Sequence, residues 1–149
     1  MAAKAWTLLL LRISLGLFLV AWGMDKLVNV EHGQAVSEGF YLGLFSAPTL
    51  LRIFGVAQVV AGAMVVLGLG RRVAYPFLIA VTGFTLLAVW KSVIDPLGLF
   101  LEGGNLVFFA SAVIFPASLL LWAFRDEDAY ALDRRGSRES ARAPAPALR

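Results

Sequence analysis

The sequence predicts an all-α integral membrane protein, an antiparallel bundle of four transmembrane helices with both termini in the cytoplasm. Apolar residues make up 60% of the chain, charged residues only 15%, and the mean hydropathy is +0.80, whereas a soluble domain has about 25% charged residues. Twenty helical residues cover the roughly 30 Å hydrocarbon layer of a bilayer. Four apolar segments reach that length, at about residues 5–24, 48–69, 73–94 and 105–124. Together they form one predicted domain, residues 1–125.

The first segment carries an arginine, Arg12, close to its middle. A central arginine costs roughly 2.5–3.5 kcal/mol on insertion scales, while the ten Leu, Ile, Phe and Val side chains between Ala5 and Met24 return about 3–6 kcal/mol. The segment therefore inserts, but Arg12 needs a partner inside the bundle. The chain offers no acid at that depth, so the candidate partners are backbone carbonyls, bound water, an acid of another subunit, or one of Gln58, Thr82 and Thr85.

Glycines mark one face of each of the first two segments. At about 100° per residue, Arg12 and Lys26 share a narrow sector with two glycines of the first helix, and Gln58 shares a face with two glycines of the second. Small residues let membrane helices approach closely, so we expect helix packing at Gly16, Gly23, Gly55 and Gly62. An amide in hydrocarbon needs partners, and both packing and ligand contact remain open for Gln58.

The distribution of basic residues orients the bundle, because Lys and Arg of short loops stay on the cytoplasmic side of a membrane. They fall on one side of a four-span arrangement, at Lys4, Arg71, Arg72, Arg125, Arg134, Arg135, Arg138, Arg142 and Arg149. Acidic residues occupy the loops of the other side, at Asp25, Glu31, Glu38, Asp95 and Glu102. Residues 126–149 are polar and rich in small residues, which predicts a largely disordered cytoplasmic tail.

Charged residues also gather where the first three helices leave the hydrocarbon on the outer side. They are Asp25, Lys26, Arg52, Lys91 and Asp95. Long cationic side chains at helix ends commonly reach the headgroup level as simple anchors. The alternative is an outer pocket that binds a quinone headgroup, a lipid or an anionic group. Residues 25–47 form the only loop long enough to cover such a pocket, and their mildly amphipathic part is 40–45.

Composition excludes several function classes. The chain has no cysteine, which removes thiol chemistry and iron-sulfur ligation. Its single histidine, His32, is at most one ligand of a metal site shared with another chain, since a site needs three or four protein donors. No nucleophile–base pair or nucleotide loop is visible, so we expect neither an intrinsic cofactor nor catalysis by this chain alone. The net charge of +3 collects in the tail and one turn, which argues against nucleic acid as a partner.

Several motifs resemble the DoxX family of four-helix membrane proteins. The first helix has the family-like residues Leu11-Arg12-Ile13, Gly16 and Gly23-Met24-Asp25-Lys26-Leu27. The second has Gly55-Val56-Ala57-Gln58-Val59-Val60-Ala61-Gly62, followed by Gly68-Leu69-Gly70-Arg71. The segment Ala129-Tyr130-Ala131-Leu132-Asp133 is similar to the family's Tyr-Ser-Leu-Asp ending. The resemblance extends over about residues 8–133.

The resemblance implies a membrane subunit of respiratory or redox assemblies, linked to quinol oxidation and thiosulfate:quinone oxidoreduction. The family commonly has glutamate where this chain has Gln58, and that change weakens any proton relay at this position. The resemblance also implies other redox subunits as partners, in the cytoplasmic membrane of a prokaryote.

Three functions therefore remain open. The first is a non-catalytic subunit of a quinone-linked oxidoreductase complex, which organises quinone near Arg12, Lys26 and Lys91 or organises its partner subunits. The second is an assembly or anchoring subunit without a small-molecule site. The third, a small transporter, is disfavoured because inverted repeats and broken helices are not evident.

Overall fold

The structure is a computed structural model, and it describes residues 2–44 and 46–133. Seven α-helices account for most of these residues, and no β-strand occurs among them. The helices are α1 (Ala2–Val28), α2 (Val30–Phe40), α3 (Pro48–Leu67), α4 (Arg71–Ala88), α5 (Trp90–Ile94), α6 (Leu106–Phe109) and α7 (Ser111–Ala123). Four helical stretches are long and apolar enough to cross a membrane: Ala2–Val28, Pro48–Leu67, Arg71–Ala88 and Leu106–Ala123. The predicted all-helical class is confirmed for the described residues, which include four candidate membrane-spanning helices.

The third predicted span is shorter in the structure than in the sequence analysis. Its helix α4 ends at Ala88, Val89 leaves helical geometry with φ −96° and ψ 23°, and the short helix α5 completes the apolar run. Helix α5 ends before Asp95, which has φ −131° and ψ 77°. This residue precedes Pro96, and the proline ring disfavours helical geometry in the residue before it.

The predicted outer loop contains a helix, α2, which was not expected. Residues 30–40 form it, whereas the sequence analysis placed the amphipathic stretch later, at 40–45. Gly33 and Ser37 lie four residues apart on the buried face of α2, which is the spacing of one helical turn. The chain then turns at Leu42 and Gly43, both with positive φ. Residue 45 lies outside the described residues.

Helices α1 and α3 pack with their backbones almost in contact. A Cβ atom added to Gly16 would lie 2.8 Å from the carbonyl oxygen of Gly62, and one added to Gly23 would lie 2.7 Å from that of Gly55. Only glycine fits at either level, since real Cβ atoms do not approach so closely. Close approach of this kind is how helices gain dispersion energy in a membrane.

An apolar core joins these two helices to α4 and α7. Its buried members are Leu15, Leu19, Ala61, Val65, Ala74, Tyr75, Leu78 and Leu121. Thr82 of α4 and Ser118 of α7 share a hydrogen bond of 2.9 Å in which one hydroxyl donates to the other. The accepting hydroxyl in turn donates to a carbonyl of its own helix. The hydroxyl groups are therefore satisfied without water, as burial in hydrocarbon requires.

Residues 126–133 differ from the predicted disordered tail, because they fold back onto the bundle. Ala131 is fully buried, and the rings of Tyr130 and Trp6 lie 5.3 Å apart. The carboxylate of Asp133 accepts hydrogen bonds from the backbone N–H groups of Gly70 (3.1 Å) and Arg71 (3.0 Å) at the start of α4. The rest of the predicted tail, 134–149, lies outside the described residues.

The Asp133 contact caps α4. Burial raises the pKa of Asp133, but the two backbone N–H groups and the Arg71 charge together lower it below its ordinary value. A carboxylate at a helix start is also favoured by the helix dipole. We call this end of the bundle, with residues 68–71 and 124–133, the tail end, and the opposite end, which carries α2, the α2 end.

Alanine at Gly62 is expected to destabilise the bundle by about 1–3 kcal/mol, because the new methyl group overpacks the α1–α3 contact. Gly39 of α2 is the matched control, since a Cβ there would meet nothing within 4 Å. Gly39→Ala should leave stability unchanged or raise it slightly, as Gly to Ala does in helices. Thermal unfolding in detergent micelles, followed by circular dichroism, compares the two, and equal midpoints would contradict the close contact.

Candidate functional site

A cavity of about 350 Å³ lies at the α2 end of the bundle. Helices α1, α3 and α4 form its walls, and α2 with the following turn contributes Gly33, Val36, Ser37 and Tyr41. Five aromatic side chains line it: Trp22, Tyr41, Phe54, Phe77 and Phe84. We call it the α2 cavity. Its size and apolar, aromatic walls are those of a small-molecule site.

Gln58 is the polar residue that α3 contributes to the lining of the α2 cavity. Its side chain is 2% exposed, and its Oε1 atom has no hydrogen-bond partner among the described residues. A buried acceptor without a donor costs about 1–3 kcal/mol. Gln58 therefore supplies a polar contact that a ligand in the α2 cavity can use.

Lys26 places a positive charge in the same cavity. Its Nζ atom donates a hydrogen bond of 3.2 Å to the carbonyl oxygen of Trp22. The same atom lies 5.3 Å from the ring centre of Trp22 and 5.8 Å from that of Phe54. Aromatic faces attract cations at these distances, so Lys26 is held within the cavity wall while two of its N–H groups stay available.

Asp25 lies at the edge of the cavity, and it connects α1 to α2. Its Oδ2 atom is 2.7 Å from Nδ1 of His32, and its Oδ1 atom accepts a hydrogen bond of 3.2 Å from Asn29. Tyr41 forms a second link, since its hydroxyl donates to Thr85 Oγ1 at 3.1 Å. Burial raises the pKa of Tyr41, and the hydrogen bond to Thr85 offsets this only in part, so this phenol stays a neutral donor.

The five charged residues predicted at the outer rim do not form one site. Asp25 and Lys26 line the α2 cavity together with Gln58. Arg52 is exposed on α3 and does not line it, and Lys91 lines a separate cavity with Glu102. Spacing along each helix placed these groups at the same depth but could not show which of them face each other.

Asp95, also a predicted site residue, organises the loop that follows α5. Its carboxylate accepts hydrogen bonds from the backbone N–H groups of Leu99 (3.0 Å), Phe100 (2.5 Å) and Leu101 (2.8 Å). These bonds, above all those from Phe100 and Leu101, lower the pKa of Asp95. Its lone pairs are used within the loop, so the structure gives Asp95 a structural position.

Arg12 has a partner in this chain, which corrects the sequence analysis. Its Nη1 atom donates to Oδ2 of Asp128 at 2.7 Å, and the two side chains are only 4% and 0% exposed. Its Nη2 atom lies 3.4 Å from the carbonyl oxygen of Tyr130. The pair lies at the tail end, away from the α2 cavity, so Arg12 does not contact a ligand there.

The three side chains proposed as partners of Arg12 are engaged elsewhere. Gln58 lines the α2 cavity, Thr82 bonds to Ser118, and Thr85 accepts from Tyr41. Asp128 was missed because it follows the last span and was assigned to the tail. The similarity of residues 129–133 to a family ending was the available signal that this segment is ordered.

Metal-ligating side chains do not cluster in the part of the chain that the structure describes, where no three of His, Cys, Asp and Glu come together. His32, the only histidine, pairs with Asp25 instead.

The comparison with protein families decides where this chain belongs. A model of the DoxX family matches residues 7–91, more than half of the chain. The chain belongs to the DoxX family. The whole lining of the α2 cavity falls within the matched residues, whereas Asp128 lies beyond them. No curated protein and no solved structure matches the chain.

Removal of one partner of the buried pair in this DoxX protein should be costly. Asp128→Ala leaves the Arg12 guanidinium buried and unpaired, so we expect a loss of about 3–5 kcal/mol in the free energy of unfolding. Titration with SDS in mixed micelles measures it. The control is Glu127→Gln, which breaks the exposed pair with Lys4 and should cost at most about 1 kcal/mol.

The joint replacement Arg12→Leu with Asp128→Leu separates pairing from packing. Because no charge is left unpaired, the double variant should recover most of the stability lost in Asp128→Ala. A double variant as unstable as the single one would show that the pair itself, rather than the orphaned charge, accounts for the loss.

The role of Asp95 predicts a pH dependence. Its pKa in the folded protein lies below the ordinary 3.8, so its contribution to stability is present above that value and is lost as the pH falls through the folded pKa. Asp95→Asn should therefore lower the thermal midpoint at about pH 7, and the difference from wild type should be smaller at about pH 3, below the ordinary value. The exposed Glu102, changed to Gln, is the control and should show little difference at either pH.

Proposed function

We propose that this DoxX-family protein is a small membrane subunit of a quinone-linked redox complex and that it holds a quinone headgroup in the α2 cavity. The observation that carries this proposal is the combination of aromatic walls with two polar side chains, Lys26 and the unpartnered Gln58, in about 350 Å³. A quinone headgroup is a flat ring with an oxygen at each of two opposite edges. It needs apolar faces and two polar contacts, and the cavity offers both.

The two polar residues suit both redox states of such a ligand. Quinone oxygens accept hydrogen bonds, and the ammonium group of Lys26 donates them. Quinol hydroxyls also donate, and the Oε1 atom of Gln58 has no donor among the described residues. The amide of Gln58 can present either its oxygen or its NH₂ group after a half-turn of the side chain.

A subunit role follows from what quinone chemistry requires. Quinol oxidation releases two electrons, which need an acceptor, and none of the cavity side chains is a redox centre. We therefore assign electron transfer to a metal-containing or flavin-containing partner and ligand binding to this chain. Gln58 cannot ionise, so its contribution is a hydrogen bond rather than proton transfer.

We also propose that the four spans run antiparallel, with the tail end in the cytoplasm of a prokaryote. Gly16 contacts Gly62 and Gly23 contacts Gly55, and this reversed order supports opposite directions for α1 and α3. Lys4 pairs with Glu127 and Arg71 with Asp133, both at the tail end, and Arg72 follows Arg71 in the chain. The positive-inside rule puts such basic residues in the cytoplasm.

The binding proposal is tested with the full-length protein in nanodiscs and a short-chain benzoquinone, which quenches tryptophan fluorescence. Gln58→Leu and Lys26→Met each remove one polar contact, so we expect the Kd to rise about tenfold in each, which corresponds to about 1.4 kcal/mol. Arg52→Met and Lys91→Met are matched controls, since both remove a cation from the α2 end outside the cavity, and they should leave the Kd within about twofold.

Two results would contradict the proposal. The first is the absence of saturable binding to the wild-type protein, and the second is an equal effect of the cavity and control variants. If binding is absent while partner subunits still co-purify, the anchoring role without a small-molecule site is the better description.

A further inference from the structure

The Asp25–His32 pair spans the boundary between the α2 cavity and water. Asp25 lines the cavity, and its side chain is 24% exposed. His32, on α2, is 56% exposed and lies 2.7 Å away, Nδ1 to Oδ2. The pair therefore joins a mostly apolar cavity to bulk solvent through one short hydrogen bond.

We infer that Asp25 and His32 form a proton relay between a quinol bound in the α2 cavity and water at the α2 end. The inference rests on the proposed quinone site. It adds the group that accepts protons from the ligand and the route by which they leave. Histidine is suited to this task because its neutral ring has one nitrogen that accepts a proton and another that donates one.

Each oxidised quinol must release two protons together with its two electrons. While Asp25 is ionised, Nδ1–H of His32 donates to its carboxylate. Asp25 takes a proton from a ligand hydroxyl, exchange with water at the exposed ring shifts His32 to the Nε2–H tautomer, and the carboxyl group then passes its proton to Nδ1. The imidazolium releases the Nε2 proton to water, which restores the starting tautomer for the second proton. The electrons pass to a one-electron acceptor, which is a metal centre of a partner subunit or, in the experiment below, ferricyanide.

The other ionisable groups near the relay either have partners of their own or do not line the cavity. Lys26 of α1 is held by the Trp22 carbonyl group and two aromatic rings. The hydroxyl group of Tyr41 donates a hydrogen bond to Thr85 Oγ1. Glu31 of α2 and Arg52 of α3 are exposed and do not line the cavity. The hydrogen bond from Asn29 fixes the Asp25 carboxylate beside His32.

The relay is tested by oxidising a short-chain benzoquinol, bound to the full-length protein in nanodiscs, with ferricyanide in a stopped-flow instrument. Two ferricyanide ions are reduced and two protons are released per quinol, and the rate in protein-free nanodiscs is subtracted. Asp25→Asn and His32→Ala should slow oxidation by about tenfold or more while the quinol Kd stays within about twofold. Added imidazole should restore the rate in His32→Ala without changing the Kd.

Glu31→Gln is the matched control, because it removes an exposed acid next to His32 that does not line the cavity, and its rate should equal that of wild type. Unchanged rates in Asp25→Asn and His32→Ala, with quinol still bound, would overturn the relay and leave the quinone site standing. Loss of quinol binding in both variants, without rescue by imidazole, would also overturn it and assign the pair to holding α2 in place. If wild type binds no quinol, both proposals fall.

Discussion

A charge inside an apolar bundle must have a partner. The arrangement of the tail end depends on this requirement, which the Arg12–Asp128 pair fulfils. The two residues are separated by 116 positions in the chain and are almost completely buried. The pair holds the segment after α7 against the first turns of α1. The pair also restricts which residue can occupy position 68, in the turn after α3. A Cβ on Gly68 would lie 2.5 Å from Nη1 of Arg12 and 2.8 Å from Ala131. Gly68 is therefore needed both for its positive φ of 68° and for the room it leaves to the guanidinium group.

Charged residues at the α2 end also have partners, but partners of another kind. The two ends of the bundle therefore differ in whether a cavity remains beside the charges. At the tail end the Arg12 and Asp128 charges satisfy each other, out of contact with solvent. At the α2 end Lys26 is held by aromatic faces and a backbone carbonyl, and Asp25 is held by a half-exposed histidine. These partners stabilise the charges without filling the space beside them, so a cavity remains at this end, whereas the tail end is filled by the chain itself.

The sequence predicts well those features that depend on local pattern. Apolar length gave four spans, and helical spacing put Gly16 and Gly23 on one face, where the structure packs them against Gly62 and Gly55. It could not reveal Asp128 as the partner of Arg12, since hydropathy places an acid after the last span in solvent and carries no information on distant contacts. Helix α2 was missed because its polar residues resemble a loop, and its buried face, Gly33 and Ser37, is evident only in the folded structure.

The neutral side chain of Gln58 explains why the proton relay lies at the edge of the cavity. A carboxylate at this depth would need a counter-charge, but Arg12 is paired with Asp128 at the other end, and Lys26 is held by the Trp22 carbonyl group and two aromatic rings. A neutral amide avoids the cost of burying an unpaired charge but cannot exchange protons. Proton exchange must then take place where an acid can be ionised without that cost, which is the solvent-exposed edge. Asp25 lies there, next to the one histidine of the chain, so the division between a neutral binding group in the cavity and an ionisable pair at its edge follows from the energetics of charge burial.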